Sequence, residues 1–191
     1  MLTHRITFWP FMFVHLIAIA CWTLGYIGGW VPILSVVLHL ALLTYGSLTP
    51  DAGFFIPHSV NLEKGTLALT YDDGPVPTHT EAILDLLKSE GVKATFFCIG
   101  DRVLKHPELA KRIVAEGHVL GVHTQGHSWR WGFMGKREAL SEIERCVESI
   151  RSVTGKTPKF FRPPFGATSP NTAYAIHKSG LIPVAWDLRT F

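Results

Sequence analysis

Between Ile6 and Pro50 the sequence contains no Lys, Arg, Asp or Glu. Of 18 Lys/Arg and 15 Asp/Glu in 191 residues, only Arg5 precedes Asp51. A chain divided this way is not a fully soluble single domain, and its apolar content excludes intrinsic disorder. Cysteine is scarce: Cys21, Cys98 and Cys146 are too far apart for a disulfide framework or a thiolate metal site, and they read as buried free thiols. Strong net charge is absent too, at +3. The Lys and Arg of residues 136–151 alternate with Glu138, Glu142, Glu144 and Glu148, which describes a solvated helix face and excludes a nucleic-acid surface. There is no internal repeat and no low-complexity tract.

Gly25, Gly28 and Gly29 divide the uncharged leader into Ile6–Leu24 and Trp30–Leu48, each close to the ~20 apolar residues that span a hydrocarbon core. Phe8, Trp9, Trp22, Tyr26, Trp30 and Tyr45 flank the two pieces as interfacial aromatics do. The apolar stretch is too long for a cleaved signal peptide and has little basic start, Arg5 alone. Residues 1–48 are therefore expected to form a membrane leader, with two transmembrane helices as the first reading and a single long or re-entrant span or a buried soluble helical hairpin as the alternatives. The lipid bilayer is then a partner, and the expected location is a membrane, in this reading the bacterial inner membrane. His15 and His39 fall inside the spans as neutral imidazoles, and Arg5 alone sets no orientation. Residues 49–65, with Pro50, Asp51, Gly53, Pro57 and Asn61, read as a linker to a domain over 66–191.

In that domain short apolar runs alternate with amphipathic stretches. Strands are predicted at Leu67–Tyr71, Ala94–Ile99, Val119–His123, Phe160–Arg162 and Ile182–Trp186. Helices are predicted at Pro77–Glu90 (capped by Thr78 and closed by Gly91), Pro107–Glu116, Lys136–Val153 and Asn171–Ser179. This alternation is that of an α/β protein with a parallel sheet, open or closed into a barrel, whose ligands bind at the carboxyl ends of the strands.

Three groups of residues fall at such ends. Thr70-Tyr71-Asp72-Asp73-Gly74-Pro75 places two carboxylates where one can hold a metal and the other move a proton, although Asp-rich turns are common. His123-Thr124-Gln125-Gly126-His127 holds two imidazoles at a spacing that can share one Zn²⁺, Co²⁺ or Ni²⁺. Phe161-Arg162-Pro163-Pro164-Phe165-Gly166 offers an Arg that can orient a carboxylate, and a rigid loop whose N–H groups can face an oxyanion. His106 and His118 look like bystanders.

The strings LALTYDDGP, GVKATFFCIG, AEGHVLGVHTQGHS and FRPPFG occur in an order and spacing that resemble the polysaccharide deacetylases, carbohydrate esterase family 4 with the NodB-homology domain, over about Leu67 to Phe191. The resemblance implies a distorted (β/α) barrel, incomplete at the C-terminus. It also implies metal-dependent hydrolysis of N-acetyl groups on amino-sugar polymers or oligosaccharides. It would make Asp73, His123 and His127 the ligands of one divalent ion, zinc first, and Asp72 the general base held by Arg162. Phe165 would replace a frequent tyrosine while its N–H serves the oxyanion, with Pro164 and Trp186 as substrate contacts. An N-acetylated glycan is the implied partner. Two departures accompany it: Arg189 stands where the family places an Asp, beside an Asp187 of open role, and the histidine general acid of the fifth motif has not appeared by Phe191. His177, on a predicted helix, is a poor substitute. A longer gene product carrying that histidine is the expectation. Two other readings fit the same residues: a carbohydrate-binding relic without turnover, and a deacylase or deformylase of a lipid-linked sugar.

Overall fold

The computed structural model describes residues 3–49, 52–57, 63, 65–186 and 188; the expected linker positions Pro50, Asp51, Asn61 and Lys64 lie outside these residues, as do Asp187 and Arg189. The uncharged leader forms two helices, α1 (His4–Thr23) and α2 (Trp30–Leu48), packed against each other around a turn at residues 24–29. Both are long and apolar enough to cross a membrane. Ile6, Trp9, Leu16, Trp30, Ile33 and Leu38 point outward rather than into a core. Water penalises that surface by about 25 cal/mol per Å², and hydrocarbon does not. The two histidines inside the pair meet: His15 Nε2 lies 3.0 Å from His39 Nδ1, and His15 Nδ1 lies 2.9 Å from Ser35 Oγ. Phe11 stacks on the His39 ring at 4.4 Å. Polar side chains bonded across a helix pair in this way bind the helices to each other.

The rest is a parallel sheet of β1 (Leu69–Gly74), β2 (Ala94–Cys98), β3 (Val119–Val122), β4 (Phe160–Phe161) and β5 (Ile182–Pro183), paired in chain order. The crossovers carry α3 (His79–Ser89), α4 (Gly100–Lys105) with α5 (Pro107–Ala115), α6 (Lys136–Thr154) and α7 (Pro170–Ser179). Crossovers of one hand lay each strand beside the last. An order without reversal is thus the wall of a (β/α) barrel rather than a doubly wound sheet. Among the described residues the wall is open, with no strand pairing β5 back to β1. Leu84 and Leu87 of α3, Ile113 of α5, Ile143 and Ile150 of α6 and Ile176 of α7 close a core with Phe96, Val122 and Phe161. Trp131 is fully buried in it, and its indole N–H donates to the Ala167 carbonyl at 3.0 Å.

Local details depart from the sequence reading in instructive ways. β1 begins later and runs further than Leu67–Tyr71, so Asp72 and Asp73 lie within the strand rather than after it. Thr78 does precede α3 but with a positive φ of 70° and no side-chain cap; Thr80 Oγ1 instead accepts the Val76 N–H at 2.8 Å. α4 was not foreseen, because six residues are too few for helical periodicity to register. Ser169 and Thr172 cap α7 reciprocally, with Pro170 in its first turn. Cys98 and Cys146 are buried, and burial pushes both thiols up, Cys146 to about 12, so neither offers a thiolate at neutral pH.

Candidate active site

The residues singled out by sequence converge at the carboxyl ends of β1, β3 and β4. On β1 the register advances from Tyr71 opposite Phe96 to Gly74 opposite Cys98, one residue more than β2 supplies. This bulge carries Asp72 and Asp73, with Asp73 at φ 64°. Plain strand alternation would send these carboxylates to opposite faces; a bulge with a left-handed residue re-aims them. Asp73 Oδ1 lies 3.4 Å from His123 Nε2 and 3.2 Å from His127 Nε2, while Asp72 Oδ1 accepts from Arg162 Nη1 at 2.7 Å. Arg102, a residue that the sequence reading did not use, reaches from α4 to the Asp73 carbonyl and pins the bulge.

His123 follows β3, and its Nδ1 lies 2.7 Å from the Arg162 carbonyl oxygen. A carbonyl only accepts, so Nδ1 carries a hydrogen and donates it there, while Nε2 faces Asp73. With His127 Nε2 beside it, three ligand atoms lie within 4.8 Å of one another. Ligands about 2.1 Å from a shared tetrahedral centre stand roughly 3.4 Å apart. The site therefore fits a divalent cation in distance and in donor chemistry. The contact with His123 is the first cause that holds the Asp73 carboxyl below its ordinary range; burial opposes it, and His127 and Arg102 nearby add to it. Burial lowers the pKa of His127 and outweighs the opposing pull of Asp73. Both directions favour the protonation states that a metal requires.

The loop between the two histidines is tied down by side chains that spacing could not identify. Gln125 donates to Asp101 Oδ1 at 2.7 Å and accepts from Ser149 Oγ at 3.0 Å, and Glu142 accepts the Gly126 N–H at 2.9 Å. Thr124 Oγ1 accepts the His127 N–H at 3.1 Å. Thr124 and His127 have positive φ of 64° and 50°, a conformation this network must hold in place. Gly100 leaves room for Gln125: a methyl there would fall 2.2 Å from Gln125 Oε1. Gly100→Ala is accordingly expected to displace Gln125, weaken metal binding about 10–100-fold and cost about 1–3 kcal/mol of stability. Zinc titration and urea unfolding of the variant measure the two effects. Unchanged zinc affinity would show that the network does not position the histidines.

Arg162 is 2% exposed and forms the hub. Its guanidinium donates to Asp72, to Thr70 Oγ1 at 2.8 Å, and to the Val184 and Ala185 carbonyls at 3.3 and 3.0 Å. It lies 4.2 Å from the Phe97 ring centroid and 5.5 Å from that of Trp186. Its backbone oxygen meanwhile orients His123, a second role the sequence did not disclose. Pro164 is buried in a 3₁₀ turn spanning Pro164–Gly166, and the exposed Phe165 within it has φ 59° and a ring 4.8 Å from that of His127. Trp186 is half-buried beside Arg162. The bystanders are elsewhere: His118 Nδ1 accepts the Ala94 N–H at 3.2 Å, His106 links α4 to α5, and His177 sits in the last turn of α7.

Residues 59–184 match the family described as polysaccharide deacetylase. A peptidoglycan-N-acetylglucosamine deacetylase of Bacillus cereus is 39% identical over 127 residues, covering 66% of this chain and 46% of that protein. Chitin deacetylase 1 of Saccharomyces cerevisiae is 34% identical over 125 residues, covering 65% and 40%. This chain thus spans less than half the length of either. Among solved structures, a family 4 carbohydrate esterase from Streptomyces lividans, in complex with acetate, superposes with a TM-score of 0.61 at 35% identity, covering 65% of this chain and 64% of that one. Together with the fold and the clustered motifs, these likenesses mean that the chain belongs to the polysaccharide deacetylase family.

Proposed function

We propose that the protein is a membrane-anchored, metal-dependent hydrolase that removes N-acetyl groups from amino-sugar glycans. The observation that carries this reading is the Asp73–His123–His127 triad with a separate carboxylate, Asp72, held beside it by Arg162. One carboxylate and two imidazoles are a catalytic rather than a structural ligand set, because they leave positions free for water and substrate. Zinc suits these donors best, with cobalt and nickel next. When bound, the ion supplies a water of lowered pKa and polarises the acetamide carbonyl.

Asp72 takes the proton of the attacking water, and Arg162 keeps that carboxylate aimed. The Phe165 N–H, on the rigid turn after Pro163, is the donor assigned to the oxyanion. Trp186 and the turn at Pro164 line the side where the sugar ring lies. The two curated relatives are named for peptidoglycan and for chitin; their shared chemistry is the acetamide of N-acetylglucosamine, the substrate class proposed here. Residues 1–48 anchor the domain of residues 66–191 in a bilayer through the segment between them.

Chelation is expected to stop acetate release from N-acetylglucosamine oligomers, and one equivalent of Zn²⁺ to restore it. Zinc affinity is expected to hold at neutral pH and fall on acidification, since His127 must be neutral to bind. Its lowered pKa moves that loss below the ~6.5 of a free imidazole. Acetate release that persists in metal-free protein would contradict the proposal.

A further inference from the structure

The last turn of α2 is joined to the loop that carries Phe165. Ser47 Oγ donates to the Thr168 carbonyl at 2.6 Å, and the Thr168 N–H returns to the Ser47 carbonyl at 3.0 Å. The start of α1 is fixed as well, with the His4 N–H on the Phe54 carbonyl at 2.9 Å. Phe54 packs so closely on α2 that a methyl at Gly46 would fall 2.2 Å from its ring. Leader and domain therefore meet in fitted contact rather than through a free tether. Thr168 is three residues beyond Phe165, whose ring touches that of His127. Three residues reach at most about 10 Å, so the triad lies within roughly 20 Å of the end of α2.

The rim on this side has the composition of an interface. Trp129 and Phe133 are 75% and 84% exposed, and Arg130, Lys136 and Arg137 are exposed around them with no acidic residue between Ser128 and Arg137. The turn Trp131–Phe133 leans on Ala167, the neighbour of Thr168, through the Trp131 indole N–H. The aromatic and basic rim is thus continuous with the end of an apolar helix. Exposed aromatics mixed with Lys and Arg are what membrane interfaces select, and anionic headgroups attract such cations.

We propose that this rim rests on the headgroup layer and that the site acts on an amino sugar carried by a lipid of the same bilayer, rather than on glycan arriving from solution. The inference rests on the membrane-anchored deacetylase reading and names the substrate class of that site. The chemistry is unchanged: water adds to the acetamide carbonyl, the C–N bond breaks, acetate leaves, and the amine gains the proton. Anchoring enzyme and sugar in one surface raises their effective concentration, which a soluble glycan does not share.

The test uses the full zinc-loaded chain in phosphatidylcholine vesicles containing phosphatidylglycerol. It compares an N-acetylglucosamine tetrasaccharide free in solution with the same tetrasaccharide coupled to phosphatidylethanolamine in the vesicles. Acetate release is expected to be at least about tenfold faster from the lipid-coupled form at equal bulk concentration. In the double variant Trp129→Ser/Phe133→Ser that preference is expected to shrink severalfold, with the rate on free tetrasaccharide unchanged. A nitroxide at Phe133→Cys, in a Cys21→Ser background, is expected to report headgroup depth; a fully aqueous label overturns the docked rim. Equal rates on both substrates overturn the lipid-borne substrate and leave the deacetylase reading standing. Release from neither overturns the deacetylase reading and this inference with it.

Discussion

Asp72→Asn is expected to lower acetate release about 10²–10⁴-fold, the contribution typical of a positioned general base, while leaving the bound metal in place. The amide keeps the shape of the carboxylate and retains an oxygen for the Arg162 Nη1 that now lies 2.7 Å from Oδ1. What it loses is the capacity to accept a proton from water. The ligand cluster found among the described residues comprises Asp73, His123 and His127 and does not include Asp72, so metal content per chain should match that of the native protein. Asp73→Asn, by contrast, removes a charged ligand and should lower metal affinity and turnover together. Metal content and acetate release, measured side by side, separate the two neighbours. An Asp72→Asn protein of native activity would mean that another group is the base.

Replacing Arg162 by methionine is expected to destabilise the domain by about 1–3 kcal/mol, the cost of leaving hydrogen-bond acceptors without their donor, because the Asp72 carboxylate that it pairs with is partly exposed and water can reach it. For a chain of this size that corresponds to a fall in melting temperature of roughly 5 °C. The side chain is 2% exposed and serves Asp72, Thr70 and two carbonyls after β5, all of which would be left without this donor. The backbone oxygen of residue 162 would still orient His123, so metal affinity should change far less than stability or turnover. Lysine is not expected to rescue, since a single ammonium cannot reproduce the planar fork or its packing against Phe97 and Trp186. Thermal unfolding followed by zinc titration of the folded fraction reads both effects. A variant as stable as the native chain would remove Arg162 from the centre of the account.

The alternation of strands and helices was legible because each run is bounded by punctuation that physics requires: Gly155 and Gly180 take the left-handed residues after α6 and α7, and Pro107 and Pro170 occupy first turns. The triad was legible because its members stand at strand ends, and parallel sheets gather their sites there. What the chain did not disclose is the bulge that carries Asp72 and Asp73 and re-aims them. Their bulge depends on pairing with β2, and the left-handed residue is an Asp rather than the Gly that would have signalled it. Arg102, Gln125 and Ser149 were missed for a similar reason: their partners lie 24 to 29 residues away in the chain, and no local period records such bonds. Gly100, directly after the apolar run of β2, was the one available hint of a close approach. The bond between Ser47 and Thr168, 121 residues apart, lies wholly beyond the reach of pattern.

In the proposed site Asp73, His123 and His127 hold one metal ion to which Asp72 is not a ligand. Titration of Co²⁺ into the metal-free full chain, followed by its visible absorption, tests this most directly. One equivalent is expected to bind, with the same spectrum, in the native protein and in Asp72→Asn, and no tight binding is expected in His127→Ala. Native affinity in His127→Ala, or loss of the ion in Asp72→Asn, would contradict it.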